Sequence, residues 1–81
     1  MENLNELIEC YLNGNITFCK QNAHKVKYNS LDIVLSCHRF GLKPALKVLK
    51  SVGVKTIEIQ NAFHDFDRNN SDEVLKILLE I

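Results

Sequence analysis

The 81-residue chain carries ten basic and ten acidic side chains, and its formal net charge at pH 7 is zero. With 46% hydrophobic residues, it has the composition of one small globular domain rather than of a disordered segment. Three cysteines without a CxxC pair favour a reducing compartment over a disulfide framework. No apolar run approaches the ~20 residues that span a bilayer, and the first residues lack the basic and apolar regions of a signal peptide. We therefore expect a cytoplasmic protein without a membrane span.

The zero net charge conceals three segments of opposite sign. Residues 1–19 carry three acids and no base, and residues 56–81 carry six acids against two bases. Residues 20–55 carry seven lysines and one arginine against a single aspartate, a net charge of +7. Such segregation indicates either an acidic partner for the middle segment or acidic ends that fold over it. The sequence leaves both interpretations open.

A similar short sequence pattern recurs at Asn3, Ser30 and Thr56, about 27 residues apart. Each copy of the pattern begins with a residue that favours helix N-caps and continues with an aliphatic residue. A repeat of this length is typical of stacked helical hairpins, an architecture that usually binds other proteins. We predict a single all-α domain of about six short helices in three stacked hairpins, which correspond to residues 3–28, 29–54 and 55–81.

The first hairpin begins at Asn3, with Glu6 as the reciprocal member of a capping box. Gly14 is predicted to end the first helix, and Asn15 to cap the second. Apolar residues follow at helical spacing in both helices. In the first they are Leu4, Leu7, Ile8, Tyr11 and Leu12, and in the second Ile16, Cys19, Ala23 and Val26.

The second hairpin has clearer boundaries. Ser30 is predicted to cap its first helix and Gly41 to end it, and Pro44 then lies in the first turn of the next helix, which ends at Gly53. The first helix carries two adjoining apolar sides: one has Leu31, Val34, Leu35 and His38, and the other has Ile33, Cys37 and Phe40. The predicted buried face of the second helix contains Ala45, Leu46, Val48, Leu49 and Val52.

In the third hairpin Thr56 is predicted to cap a helix, residues 67–70 form a turn, and Asn70 opens a capping box with Glu73. The apolar stripe of the first helix is Ile59, Phe63 and Phe66. Six of the last eight residues are apolar, and a helix that is apolar nearly all round is a buried helix. We therefore expect Val74, Leu78 and Ile81 to dock on a partner or on a second copy of the chain, forming a homodimer. The alternative is that the helix is enclosed on both sides by its own chain.

These units resemble the second helices and glycine boundaries of ankyrin repeats. One helix ends at Gly41, the next ends at Gly53, and the stretch N-N-S-D-E-V-L-K-I-L-L-E is similar to the second helix of a repeat. The resemblance implies stacked α-hairpins that bind proteins. The period of 27–29 residues differs from the 33 residues of the family, and no T-P-L-H motif opens a unit.

The pattern favours neither a metal site nor an enzyme. Cys10, Cys37 and Phe66 lie at the same position relative to the turn residues, and a position that accepts either cysteine or phenylalanine indicates a core site rather than a zinc site. The acidic run that begins at Asp65 lacks the glycine and the glutamate of a calcium loop. No nucleophile has a base and an orienting group, and no phosphate loop occurs, so we predict no catalytic residues and no cofactor.

Three lysines, Lys43, Lys47 and Lys50, form a stripe at i, i+4 and i+7 of one predicted helix. If Gly41 were the turn of a helix-turn-helix DNA reader, Lys47 and Lys50 would occupy its inward positions, where they could not be buried unpaired. Phosphate contacts alone would still allow nucleic-acid binding, although no arginine cluster or aromatic platform supports it. We predict that the stripe binds a partner, and its alternative role is a solvent-exposed face.

A second resemblance concerns the length, the frequent Asn, Lys and Ile residues, and the stretch N-A-H-K-V-K-Y-N-S-L-D-I-V-L-S-C. These resemble the small lysis-inhibition accessory proteins of T-even-type phages. The resemblance implies a cytoplasmic antiholin, located in the host cytoplasm, that binds the cytosolic part of a holin and delays lysis. Our hypothesis is a non-enzymatic protein-interaction module of this kind. The alternatives are a small nucleic-acid-binding regulator that uses the same lysines, and a subunit whose function is self-assembly.

Overall fold

The computed structural model describes all 81 residues, of which 79% are helical and none is in a strand, so the predicted all-α class with six helices is confirmed. None of the helices combines the length and the apolarity needed to cross a bilayer. Two short 3₁₀ helices, Ala23–Lys25 and Arg68–Asn70, were not predicted. The six α-helices are α1 (Leu4–Leu12), α2 (Ile16–Asn22), α3 (Ser30–Phe40), α4 (Leu42–Ser51), α5 (Thr56–Phe66) and α6 (Ser71–Glu80).

The helices pack as sequential pairs, α1 with α2, α3 with α4, and α5 with α6. Helix α3 also packs against α1 and α5, and α4 also packs against α1 and α6. The second pair therefore lies between the other two in a molecule with extents of 32 × 24 × 20 Å. This packing accounts for three helical pairs, and the ankyrin-like form of their stacking stays a prediction.

A single core joins all six helices. It contains 19 buried hydrophobic residues, and its largest fully buried side chain is Phe63 of α5. Full burial of one large aliphatic or aromatic side chain contributes about 1.5–3 kcal/mol. Apolar burial between the helices is therefore the main stabilising term in this fold.

Four of the predicted N-caps are corrected. Asn15 precedes α2, but its side chain makes no capping bond. The capping box of α3 uses Asn29, whose side chain accepts a hydrogen bond from the backbone N–H of Asp32, and Ser30 is already helical. Thr56 is likewise the first helical residue of α5, after Lys55. Asn70 precedes α6, but its side-chain oxygen makes no capping bond, and its side-chain N–H donates to Asp67. The cap at Asn3, which accepts from the N–H of Glu6, is confirmed. The reciprocal half of the predicted capping box does not form, because the Glu6 carboxylate accepts from the N–H of Glu2.

Gly41 alone connects α3 to α4. Its φ of 93° and ψ of 143° belong to a conformation that side chains disfavour, so glycine is required at this abrupt change of direction. This single-residue connection fixes the start of α4 beside the end of α3.

Several predicted apolar positions lie at the surface. Leu31 and Leu35 of α3 are exposed, because the buried arc of α3 is centred on Ile33 and Cys37, which face α1, α4 and α5. Ile16 is exposed at the start of α2. Phe66 is 54% exposed at the last turn of α5, so the proposed equivalence of this position with the buried Cys37 is wrong.

Candidate functional site

The sequence-predicted site residues fall into two groups in the structure. Lys43, Lys47 and Lys50 are exposed on α4. Val74 and Leu78, by contrast, are 0% and 3% exposed, because α6 packs this face against α4 and α5. The expectation that these two side chains meet a partner is therefore corrected to a role in the core. The accessible apolar side chains of α6 are Leu75 and Leu79.

The lysines border a groove between the end of α1 and the length of α4. Two adjoining depressions, of about 320 and 500 Å³, share Tyr11 and Lys47 in their walls. The buried side chain of Val48 forms part of the floor, and half-exposed Leu12 stands at one side. We call this surface the α4 groove; it is lined by Tyr11, Leu12, Lys43, Pro44, Lys47, Val48, Lys50, Ser51 and Ile81.

Lys50 differs from the other two lysines because its ammonium group already has partners. Its Nζ donates to the carbonyl oxygens of Leu78, at 3.3 Å, and of Ile81, at 2.5 Å. Leu78 lies in the last turn of α6 and Ile81 directly follows the helix, where no intrahelical donor remains and the helix dipole is negative. Lys50 therefore caps α6 from α4, and it brings Ile81 to the edge of the groove.

Lys43 and Lys47 have no hydrogen-bond or ion-pair partner in the chain. Both lie on one face of α4 at i and i+4, where like charges repel. Lys43 is also in the first turn of α4, which contains no acid and has no capping side chain. A cation at this end opposes the helix dipole. The fold therefore bears a small electrostatic cost to keep two free ammonium groups beside an apolar floor.

The acidic ends of the chain pack over the basic middle without direct ion pairs. Helices α1 and α6 pack against α4, yet no lysine or arginine nitrogen lies within 4.0 Å of a carboxylate oxygen. The two contacts between a basic side chain and a carboxylate both use histidines, His38 with Asp67 and His64 with Asp65, and they are ion pairs only when the imidazole is protonated. Of the two interpretations of the segregated charges, the packing agrees with acidic ends that fold over the basic middle, although without direct ion pairs. An acidic partner for the middle segment stays a prediction.

A second polar cluster ties α3 to the turn between α5 and α6. The Asp67 carboxylate accepts a 2.7 Å hydrogen bond from the Asn70 side-chain amide and lies 2.6 Å from Nε2 of His38. The Asn70 hydrogen bond, followed by the His38 contact, lowers the pKa of Asp67. The His38 ring also contacts Phe63, with ring centroids 6.3 Å apart. This cluster holds a connection in place and lacks the concave surface of a binding site.

The three cysteines are free thiols that belong to the packing of the helices. Burial raises the pKa of Cys37 to about 12, and burial followed by contact with Cys10 raises the pKa of Cys19 to about 11. The thiol, rather than the nucleophilic thiolate, is therefore favoured at both positions. No group of three or more His, Cys, Asp or Glu side chains is placed to hold a metal ion.

Another depression, of about 330 Å³, lies between the end of α2 and the loop after α4. Its rim carries Lys20 and His24, and its lining is otherwise mainly apolar. It lacks the pair of free lysines that the α4 groove presents. The α4 groove is therefore the stronger candidate site, and it is the one that brings together residues predicted from the sequence.

The sequence analysis missed the α1 wall of the groove. Tyr11 and Leu12 were predicted only as members of the apolar stripe of α1, and helical periodicity cannot show which edge of a stripe faces a neighbouring helix. Pro44 was predicted as a first-turn residue, without a role in a surface.

Comparisons with known protein families, curated proteins and solved structures found no match to this chain.

Proposed function

We propose that the chain is a protein-interaction module that binds an acidic segment of another protein at the α4 groove. One observation carries this proposal: Lys43 and Lys47 are unpaired in a chain that has as many acids as bases, and they flank an apolar depression. Unpaired charge around a mainly apolar centre is the arrangement of a protein interface with a polar rim.

The sequence resemblance to phage lysis-inhibition accessory proteins gives the proposal a specific form. In that form the partner is the cytosolic segment of a holin, and the chain acts as an antiholin. By occupying that segment, the module would withhold holin molecules from the assembly that opens the membrane. The mechanism requires binding alone and no reaction chemistry.

The test is the affinity of the purified chain for the cytosolic segment of the holin from the same source. We expect the variant K43E/K47E to bind at least tenfold more weakly than the wild type at low salt, because two attractions become repulsions. The variant K25E/K27E makes the same change of net charge outside the groove, and it should bind as the wild type does. Isothermal titration calorimetry measures both.

Two outcomes contradict the proposal. If the wild-type chain does not bind the segment, the holin form of the function is wrong. If it binds, but K43E/K47E and K25E/K27E lose affinity equally, the attraction comes from overall charge and the α4 groove is only a solvent-exposed face.

The free lysines also favour a second candidate, a small nucleic-acid-binding regulator. Ammonium groups without internal partners can bind phosphates as well as carboxylates. Titration with random duplex and single-stranded DNA at several salt concentrations separates the two functions. Micromolar or tighter binding with a steep dependence of log K on log salt would favour the nucleic-acid function.

Self-assembly is a third candidate, and the observation behind it is the exposure of Leu75 and Leu79 on α6. A homodimer through the C-terminal helix would use these side chains, because Val74 and Leu78 are buried. Light scattering over a range of concentrations tests this function, and a strict monomer at high concentration excludes it.

A further inference from the structure

We infer that the occupant of the α4 groove is an amphipathic helix of a partner protein, with an aliphatic side chain in the depression and carboxylates opposite Lys43 and Lys47. This inference rests on the proposed function and deepens it, because it specifies the secondary structure and the side-chain pattern of the partner. It depends on three properties of the groove: its charge, its lining and its dimensions.

The charge of the groove selects an acidic occupant. Lys43 and Lys47 are exposed and unpaired, while Lys50 already caps α6 and offers less of its charge. The uncapped N-terminus of α4 lies beside Lys43, so its backbone N–H groups add positive potential at the same end of the groove. Carboxylates are therefore favoured near Lys43 and Lys47.

The lining of the groove selects a helix over an extended segment. Its walls consist of side chains from α1 and α4, and the chain has no strand whose edge could pair with a peptide backbone. An extended segment on the apolar floor would lose water from backbone groups that find no partner there. A helix satisfies its own backbone hydrogen bonds and can present apolar side chains to Val48 and Leu12.

The dimensions of the groove set the spacing of the partner's side chains. From Lys43 to Lys50 the axis of α4 rises about 10.5 Å, or roughly two helical turns. A partner helix alongside α4 can match this length with apolar residues at i, i+4 and i+7 and glutamates beside them. The side chains of Leu12 and Tyr11 would contact the aliphatic residues, since both line the depression opposite Lys47.

The experiment uses three synthetic peptides of about 16 residues, a length at which an isolated helix is marginal and binding can stabilise it. The first is an amphipathic helix with leucines at i, i+4 and i+7 and flanking glutamates. The second is a scrambled sequence of the same composition, and the third replaces the glutamates by lysines. Fluorescence anisotropy measures affinity for the full chain, and circular dichroism of the mixture reports the helix content gained by the peptide.

We expect the first peptide to bind and to gain helicity, and the other two to bind roughly tenfold more weakly or not at all. The variant L12E places a carboxylate at the apolar wall. L12E and K43E/K47E, tested as separate variants, should each abolish binding of the first peptide. Leu12 is 49% exposed, so L12E should retain the fold. K25E/K27E should bind as the wild type does.

Four results would overturn the inference. The first is equal affinity for the first two peptides, and the second is binding of the first peptide without a gain in its helicity. The third is an L12E variant that binds the first peptide with unchanged affinity. The fourth is a second copy of the chain that fills the groove, which would be seen as dimerisation of the wild type that L12E abolishes. The proposed function is separable from all of them. If the holin segment still binds through Lys43 and Lys47 while the amphipathic peptide does not, the inference fails and the proposed function stands. If only the peptide binds, the inference stands and the holin form of the proposed function fails.

Discussion

At the scale of single residues, the three lysines of the basic stripe have different roles. Lys50 donates to two main-chain carbonyl oxygens at the end of α6 and contributes to the stability of the fold. Lys43 and Lys47 have no such contacts, and Lys43 opposes the dipole of its own helix. The regular spacing of the three lysines in the sequence does not show this difference. It arises because the end of α6 lies beside Lys50 and not beside Lys43 or Lys47. Stability measurements can show this difference directly.

The substitution K50M should destabilise the protein. It keeps most of the aliphatic stem of Lys50 and removes the ammonium group that caps α6, at an expected cost of about 1 kcal/mol. For a domain of this size that corresponds to a fall in Tm of roughly 4–8 °C. Thermal unfolding followed by circular dichroism measures the change. The matched variant K47M, which removes no internal contact, should unfold near the wild-type temperature, and equal losses in both variants would contradict the assigned role of Lys50.

The substitution K43E should have the opposite effect and stabilise the free protein. A glutamate in the first turn of α4 complements the helix dipole and forms an i, i+4 pair with Lys47, for a gain of about 0.5–1 kcal/mol. We expect Tm to rise by a few degrees, with K43Q intermediate and with a smaller gain at high salt. A lower Tm for K43E would show that Lys43 makes a stabilising contact that the structure does not contain.

Asp67 should make stability depend on pH in the acid range. Its pKa is lowered in the folded chain by Asn70 and His38, so its contribution to the free energy of unfolding is present above the unfolded value of about 3.9. This contribution is lost as the pH falls through the folded pKa. We expect the wild-type Tm to decrease more than the Tm of D67N between about pH 6 and pH 3. D65N removes an exposed carboxylate with only a 3.7 Å contact to His64, and it should keep the wild-type dependence.

At the scale of the helices, substitutions at Asn29 and Ser30 test which of the two residues caps the N-terminus of α3. The substitution N29A removes a side chain that accepts a 2.9 Å hydrogen bond from the N–H of Asp32, and it should cost about 1 kcal/mol. S30A changes the neighbouring residue, which has no capping bond, and should be neutral or slightly stabilising because alanine favours helices. Urea unfolding of both variants distinguishes them. A larger loss in S30A would restore the cap that the sequence predicted.

The sequence contained enough information for six helices and most of their boundaries. Gly14, Gly41 and Gly53 all have positive φ, and helical periodicity identified most of the buried side chains. Helical periodicity did not predict burial correctly where the packing of neighbouring helices determines which side of a helix is covered. The last helix was predicted to be apolar nearly all round, but packing on α4 and α5 buries only the side that holds Val74 and Leu78. The α1 wall of the α4 groove could not be predicted, because it depends on where α1 crosses α4.

At the scale of the whole molecule, the balanced charge is distributed rather than paired. Ten bases and ten acids share a small surface without one contact between a lysine or arginine and a carboxylate. Apolar packing, with the Lys50 hydrogen bonds at the end of α6, therefore holds the acidic helices α1 and α6 against α4, and Lys43 and Lys47 remain free. This separation of stabilising contacts from exposed charge is what the proposed binding of a partner at the α4 groove would use, because Lys43 and Lys47 could be engaged without breaking an internal contact.

The most direct test of an acidic partner at the α4 groove is a charge-swap titration. The wild type and K43E/K47E are each titrated with the amphipathic acidic peptide and with its lysine-substituted form at low salt. We predict that the wild type prefers the acidic peptide, and that K43E/K47E prefers the lysine form by roughly tenfold, because the exchanged charges restore the attraction. If the variant binds both peptides as the wild type does, Lys43 and Lys47 are only solvent-exposed residues and the central claim is wrong.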